Sequence, residues 1–229
     1  AIHTMATKYT SQAYLEALPA FTSLLSIAAY ERSTRQEPGP NRWFVLSAVA
    51  LGITAASKYT YLVVGLAILP LLVWRSRQRP WLVTLFLGIA LLTFFVLDVQ
   101  IWADPLGRLR DSLLFHPAYA QTVEVTRRGL PRGQQLYYLS HPIPWQPGVF
   151  LFSWDTWILA LAVPGLPLLY RRRPIYMLWL LLGLAVLLLW PTKWPQYTLI
   201  ITAPLCLSAG TCILAGWQWL DQHTGVVRT

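Results

Sequence analysis

The sequence predicts an all-α, polytopic membrane protein. It has about seven transmembrane helices and one long extracytoplasmic loop carrying a short interfacial helix. Three observations predict this. Apolar residues make up 55% of the 229 residues and charged ones 12%, about half the charged share of a soluble domain. The apolar residues fall in seven runs, each with about 15 to 27 residues free of charge, against the ~17 to 25 that cross a bilayer. Basic residues gather in short clusters between alternate runs. A disordered chain, a disulfide scaffold and an ordinary water-soluble domain are thereby excluded.

The first run is Ala13 to Tyr30, interrupted only by Glu16 and Pro19. The second is Trp43 to Ser57 and the third Tyr59 to Trp74, with Lys58 alone between them as a tight turn. The fourth is Trp81 to Leu97 and ends at Asp98. The fifth, sixth and seventh are Thr156 to Tyr170, Ile175 to Thr192 and Trp194 to Leu220. Backbone polar groups in lipid need partners within the segment, so each run reads as a helix. Cys206 and Cys212 share one run. On one helix they stand about 9 Å apart along the axis, too far to bridge, and read as packing residues.

Orientation follows from Lys and Arg. Arg32, Arg35 and Arg42, then Arg75, Arg77 and Arg79, then Arg171, Arg172 and Arg173, and finally Arg228 mark alternate segments, holding ten of the eighteen basic residues. The opposite short segments hold Lys8, Lys58 and Lys193. The remaining five lie in the long segment, which carries little weight in orientation. The N-terminus is expected outside the cytoplasmic membrane and the C-terminus in the cytoplasm. That fits best if an odd number of helices precedes Ala1. Residues 1–103 then hold four spans, 104–155 the extracytoplasmic loop, and 156–229 three spans and a tail. Tryptophans at run ends (Trp43, Trp74, Trp81, Trp102, Trp190, Trp194) fit interfacial belts. The net charge of +9 reads as topology rather than as a nucleic-acid surface.

In the long segment Asp104-Pro105 reads as an N-cap and first helical position. Leu106, Leu109, Leu113 and Leu114 then share one helical face, as expected of a helix lying on the outer membrane surface. His116-Pro117 is expected to end it. A basic, turn-rich stretch follows around Arg127, Arg128 and Arg132, and His141 to Gly148 is expected to form a proline-stiffened extended loop.

Ionisable residues in or beside the runs (Glu16, Lys58, Asp98, Asp155, Lys193) lie toward the outer face, and the run centres carry none. Transport pathways betray themselves by charges at depth, so a transporter is disfavoured and a site at the outer boundary is favoured. Glu16 reads either as an acid favoured by the helix dipole or as a carboxylate facing such a site. Lys58, in Ser-Lys-Tyr-Thr-Tyr, is either a snorkelling lysine or a phosphate ligand with Tyr59 beside it. Lys193, between Trp190 and Tyr197, is either an interfacial anchor or a second phosphate ligand. On the functional reading Glu16, Lys58 and Lys193 face one cavity, within roughly 15 Å of each other, the span of a small-ligand pocket. His116 and His141 read as loop histidines. No zinc spacing, phosphate-cradling glycine loop or hydrolase triad is present.

Leu51-Gly-Ile-Thr-Ala-Ala-Ser-Lys-Tyr-Thr60, followed by an apolar run ending in arginines, resembles multi-pass glycosyltransferases that use polyprenyl-phosphate sugars. Lys193-Trp-Pro-Gln-Tyr197 leading into Ala203-Pro204-Leu205 is similar to the same family's late lysine, tyrosine and proline pattern. Ser11 to Tyr30, an acid before an apolar run and a basic loop, is a third match. The family is the dolichyl-phosphate-mannose-protein mannosyltransferase-like group, which includes the bacterial aminoarabinose transferases. The resemblance implies an outer-face active site, a lipid-phosphate-linked sugar as donor, and Lys58, Tyr59, Lys193 and Tyr197 as donor-binding positions. Glu16 matches a second acidic position. The family's principal catalytic carboxylate lies in its first outer loop, before the region this chain matches, so the chain reads as the later part of such an enzyme. The alternative expectation is a non-enzymatic membrane subunit or lipid-binding scaffold. No cofactor is indicated; a divalent metal, the sugar, the acceptor and the oligomeric state are left open.

Overall fold

The computed structural model describes residues 16–35, 39–141 and 154–224. Among these, every regular element is helical and no strand occurs. Helices α1 (Ala17–Ser33), α2 (Arg42–Ser57), α3 (Val63–Arg75) and α4 (Trp81–Leu97) come first. The long segment carries α5 (Pro105–Ala120), α6 (Val123–Thr126) and α7 (Gln134–Ser140). Helices α8 (Asp155–Arg172), α9 (Pro174–Leu189) and α10 (Leu199–Thr224) follow. Single 3₁₀ turns at Tyr59–Leu62 and Pro195–Thr198 lead into α3 and α10, and another spans Val99–Ile101.

Local chemistry sets the helix starts. The Asn41 side chain accepts hydrogen bonds from the Trp43 and Phe44 amides, both at 3.0 Å, and so caps α2. Asp104 accepts from the Gly107 amide at 3.0 Å, with Pro105 at the first helical position of α5. Lys58 leaves helical space with φ −167° and ψ 114°, which separates α2 from the turn before α3.

Helix α5 departs from the sequence expectation at its end. It runs through Pro117 to Ala120 instead of stopping at His116-Pro117. A proline takes the hydrogen-bond partner from the carbonyl four residues earlier and its ring crowds that carbonyl, which bends a helix without having to end it. This helix has its apolar residues Leu106, Leu114 and Phe115 exposed, so surrounding polar groups or water can satisfy that carbonyl. The extended loop expected from His141 to Gly148 lies, apart from His141, outside the described residues.

The bundle is built from helix pairs. Helix α1 packs along α2, α2 on α4, α3 on α9, and α8 along α10, while α9 touches α8 and α10. The α1–α2 seam is small and polar. Ser26 Oγ donates to the Ser47 carbonyl at 2.9 Å, and Ser47 Oγ donates to the Ser26 carbonyl at 2.8 Å. The Thr22 and Thr54 hydroxyls meet at 2.8 Å. Small residues with hydroxyls allow backbones to approach and bond across helices in an apolar setting. The α8–α10 and α2–α4 crossings are closer still. A Cβ on Gly165 would lie 2.1 Å from the Ser208 carbonyl oxygen, and one on Gly52 would lie 2.5 Å from that of Ala90.

Around these seams lies a core that includes Ile27, Tyr61, Ile68, Phe86, Trp179 and Ile201, all 1% exposed or less. The outer faces are also apolar: Phe21, Leu66, Trp74, Leu92, Leu189 and Trp217 are all exposed. Among the described residues Pro195–His223 is long and apolar enough to cross a membrane; Arg42–Ser57, Tyr59–Arg75, Trp81–Leu97 and Pro174–Leu189 are apolar but shorter. The limit is the length of the runs themselves: α4 takes up the whole of its apolar run, Trp81 to Leu97. A 17-residue helix such as α4 is then about 26 Å long, against ~30 Å of hydrocarbon.

Candidate functional site

Three segments far apart in sequence meet at the end of the bundle where α2 stops. Glu16 stands immediately before α1, where it makes no side-chain bond to the helix amides. Its carboxylate is ion-paired with Lys58. Lys58 occupies the extended residue between α2 and the turn, so its side chain is released from the helix surface and reaches across to α1. The Lys58 ammonium also lies 5.0 Å from the centre of the Tyr197 ring, within the range of a cation–π contact. Tyr197 comes from the turn that precedes α10. The pair is unequally buried: the Glu16 side chain is 3% exposed and that of Lys58 20%.

Tyr61 completes this neighbourhood. It is fully buried and lies within electrostatic range of Glu16 and Tyr197. Its hydroxyl has no hydrogen-bond partner among the described residues, which is uncommon for a buried polar group. The sequence reading passed over Tyr61. The available signal was its place two residues after Tyr59, in the motif that carries Lys58.

Tyr59 turns elsewhere. Its hydroxyl donates to Asp98 at 3.1 Å and its ring meets Phe94 edge-on at 6.0 Å. It lines a cavity of about 470 Å³ together with Thr60, Leu51, Leu66, Leu91 and Phe94, with Leu109 of α5 and Trp190 at its margin. The lining is almost wholly apolar. Asp98, which reads in sequence as a helix-end residue, therefore anchors the tyrosine at the head of this cavity.

Lys193 has a different neighbourhood. Its ammonium donates to the carbonyls of Leu187 and Leu188, at 2.8 and 2.9 Å. Those carbonyls lie in the last turn of α9, where acceptors lack helical partners, so Lys193 caps that helix. Burial pushes its pKa below the usual lysine value, and the charge of Arg132 adds to the effect. Lys193 lines a smaller cavity of about 170 Å³ with Arg128 and Trp194. The Arg128 guanidinium sits 4.3 Å from the Trp194 ring centre, and Gln135 donates to the Trp194 carbonyl at 3.1 Å.

The structure thus joins Glu16, Lys58 and Tyr197, sets Tyr59 on Asp98 beside them, and directs Lys193 to the carbonyl end of α9. His141 stacks on Tyr137, with ring centres 4.1 Å apart, and bonds Ser140 at 2.8 Å. Cys206 and Cys212 are both free thiols. No cluster of three or more His, Cys, Asp or Glu suited to a metal ion occurs among the described residues. Comparison with family models, with curated proteins and with solved structures gives no match.

Proposed function

We propose that this chain forms part of a polytopic glycosyltransferase of the cytoplasmic membrane, transferring a sugar from a polyprenyl-phosphate donor to an acceptor on the extracytoplasmic face. The N-terminus lies outside and the C-terminus in the cytoplasm, with seven membrane-embedded helices (α1–α4 and α8–α10). The outward apolar side chains of these helices support the embedding. Helices shorter than the bilayer are accommodated by local thinning and by flanking arginines that snorkel.

The observation that carries the reading is the adjacency of a cation and an apolar groove. Lys58 is followed directly by Tyr59 and Thr60, which line the cavity of about 470 Å³ between α2, α3 and α4. A volume of this order suits a ligand, and one lined by Leu, Val and Phe suits a lipid chain. A carrier lying in it would present its phosphate near Lys58. In the transfer the anomeric C–O bond to phosphate breaks and a bond from the acceptor oxygen or nitrogen forms. Negative charge grows on the departing phosphate, and a fixed ammonium lowers that barrier electrostatically. The proton of the acceptor goes to a carboxylate acting as general base. Glu16 is the nearest carboxylate to Lys58 described, and its pairing there suits holding the lysine in place; the resemblance puts the principal base upstream of the matched region.

A second reading has two contacts in its favour. The charge of Lys58 is already met by Glu16, and that of Lys193 is directed to helix carbonyls. Both suit a lipid-binding subunit without catalysis. Transfer of labelled sugar from a polyprenyl phosphate by the intact gene product in native membranes separates the two. The glycosyltransferase reading expects Lys58→Ala to lower transfer by about 10²-fold or more, the scale of removing one electrostatic contact to a developing charge. Unchanged transfer in that variant sinks it. Binding of the carrier with no transfer under any acceptor supports the subunit.

A further inference from the structure

At the end of the bundle opposite Lys58 lies a cavity of about 580 Å³. Three segments distant in sequence line it. Glu31 and Tyr30 come from the end of α1, Arg75 and Arg77 from the end of α3 and the turn after it, and Arg172 and Arg173 from the junction of α8 and α9. Among the described residues, four arginines and one glutamate thus line it, and Glu31 is ion-paired with Arg173. Arginines gathered at one place by tertiary folding attract an anion.

We propose that this cavity binds a phosphate ester, supplied by the headgroup of an anionic phospholipid in the cytoplasmic leaflet. Arginine is the side chain best matched to phosphate, because its planar fork donates two parallel hydrogen bonds to two oxygens. The volume exceeds that needed by inorganic phosphate and lies within the ~300 to 1,000 Å³ typical of ligand sites. The wall is mixed. Leu71 and Ile175 supply apolar surface, and Trp74, 72% exposed, stands at the rim with the Arg77 guanidinium 5.3 Å from its ring centre. That combination suits a molecule whose phosphate enters the cavity while its chains leave past the indole into the bilayer, where tryptophan is at home. The Glu31–Arg173 pair holds one wall, since it ties α1 to the α8–α9 junction.

The inference rests on the membrane embedding proposed above and not on sugar transfer. Its test is binding of phosphatidylglycerol and of phosphatidylcholine to the detergent-solubilised intact protein, followed by native mass spectrometry. Wild type is compared with the double variant Arg77→Gln/Arg172→Gln and with Arg32→Gln/Arg42→Gln, which removes the same charge from residues beside Trp43 rather than in the cavity. The expected result is a preference for phosphatidylglycerol of about tenfold or more, lost in the first double variant and kept in the second. Equal losses in both variants mean diffuse attraction to basic loops and overturn the proposal, as does an unaltered preference in the first. Soluble glycerol phosphate identifies the source. Competition only at concentrations about a hundredfold above the lipid assigns the site to a headgroup, whereas competition at equal concentration assigns it to a free phosphate ester; the phosphate site stands in both cases. Sugar transfer is measured alongside. Its absence from wild type removes the proposed activity and leaves the lipid result to be judged separately.

Discussion

Replacing Lys58 by methionine strands a carboxylate. Glu16 is 3% exposed at its side chain and its ion-pair partner is Lys58, so the variant leaves a charge almost without solvent. Removing one member of a buried pair costs about 3–5 kcal/mol, because the survivor keeps its desolvation penalty and loses its compensation. The reverse change is milder. In Glu16→Gln the ammonium that remains is 20% exposed and sits on a flexible stem that can reach water. The loss is then about 1.5–3 kcal/mol, the worth of a hydrogen bond to a charged group. The double variant Glu16→Gln/Lys58→Met carries no buried charge and should recover most of what Lys58→Met loses. The assay is reversible unfolding in mixed micelles, with the four proteins arranged as a double-mutant cycle. The ranking expected is Lys58→Met worst, Glu16→Gln intermediate and the double variant better than Lys58→Met. A double variant as unstable as the sum of the two single changes would refute a direct pairing. Equal costs for the two single changes would refute the unequal burial on which the ranking is built.

Other outcomes follow from the seams and from Lys193. Gly165→Ala and Gly52→Ala should each lose about 1–3 kcal/mol, since the new methyl meets a backbone carbonyl at 2.1 and 2.5 Å. Gly210→Ala, with nothing within 4 Å of its added Cβ, should be neutral or gain up to about 1 kcal/mol from helix propensity; the same unfolding series reads all three. Ser47→Ala removes one of the reciprocal α1–α2 bonds and should cost about 0.6–1.7 kcal/mol. For Lys193 the sign is set by its lowered pKa. Between that pKa and the ordinary lysine value, the unfolded chain holds the proton more firmly than the folded one, so stability rises with pH across that window. Wild type minus Lys193→Gln, unfolded at a series of pH values from neutral to about 10.4, should show this rise; a flat difference would mean that burial does not penalise the ammonium.

Much of the secondary structure was legible because it follows from local rules. The apolar runs fix where helices form, Asp104-Pro105 fixes the start of α5, and Lys58 between two runs marks the break before α3. The end of α5 was not legible, since a proline stops a helix only when the freed carbonyl has nowhere to turn, and that depends on exposure. The all-helical class was legible from the same local rules. By length and composition Pro195–His223 alone among the described residues is long and apolar enough to span a membrane, because the other apolar runs are themselves only about as long as the helices they form.

Composition and pattern thus determined an all-helical chain with apolar surfaces and arginine clusters between alternate runs. The residue pattern also singled out Glu16, Lys58 and Lys193 for one cavity, and the resemblance added Tyr197; the groups that come together are Glu16, Lys58 and Tyr197. Tertiary structure alone decided that these three meet, that Tyr59 turns to Asp98, and that Lys193 serves the carbonyl end of α9. It alone brought Arg75, Arg77, Arg172 and Arg173 around one cavity. The reason is that a period of 3.6 residues dictates which face of a helix is apolar, whereas the partner of a lysine at a helix end is set by which distant segment the bundle delivers to within a few ångströms.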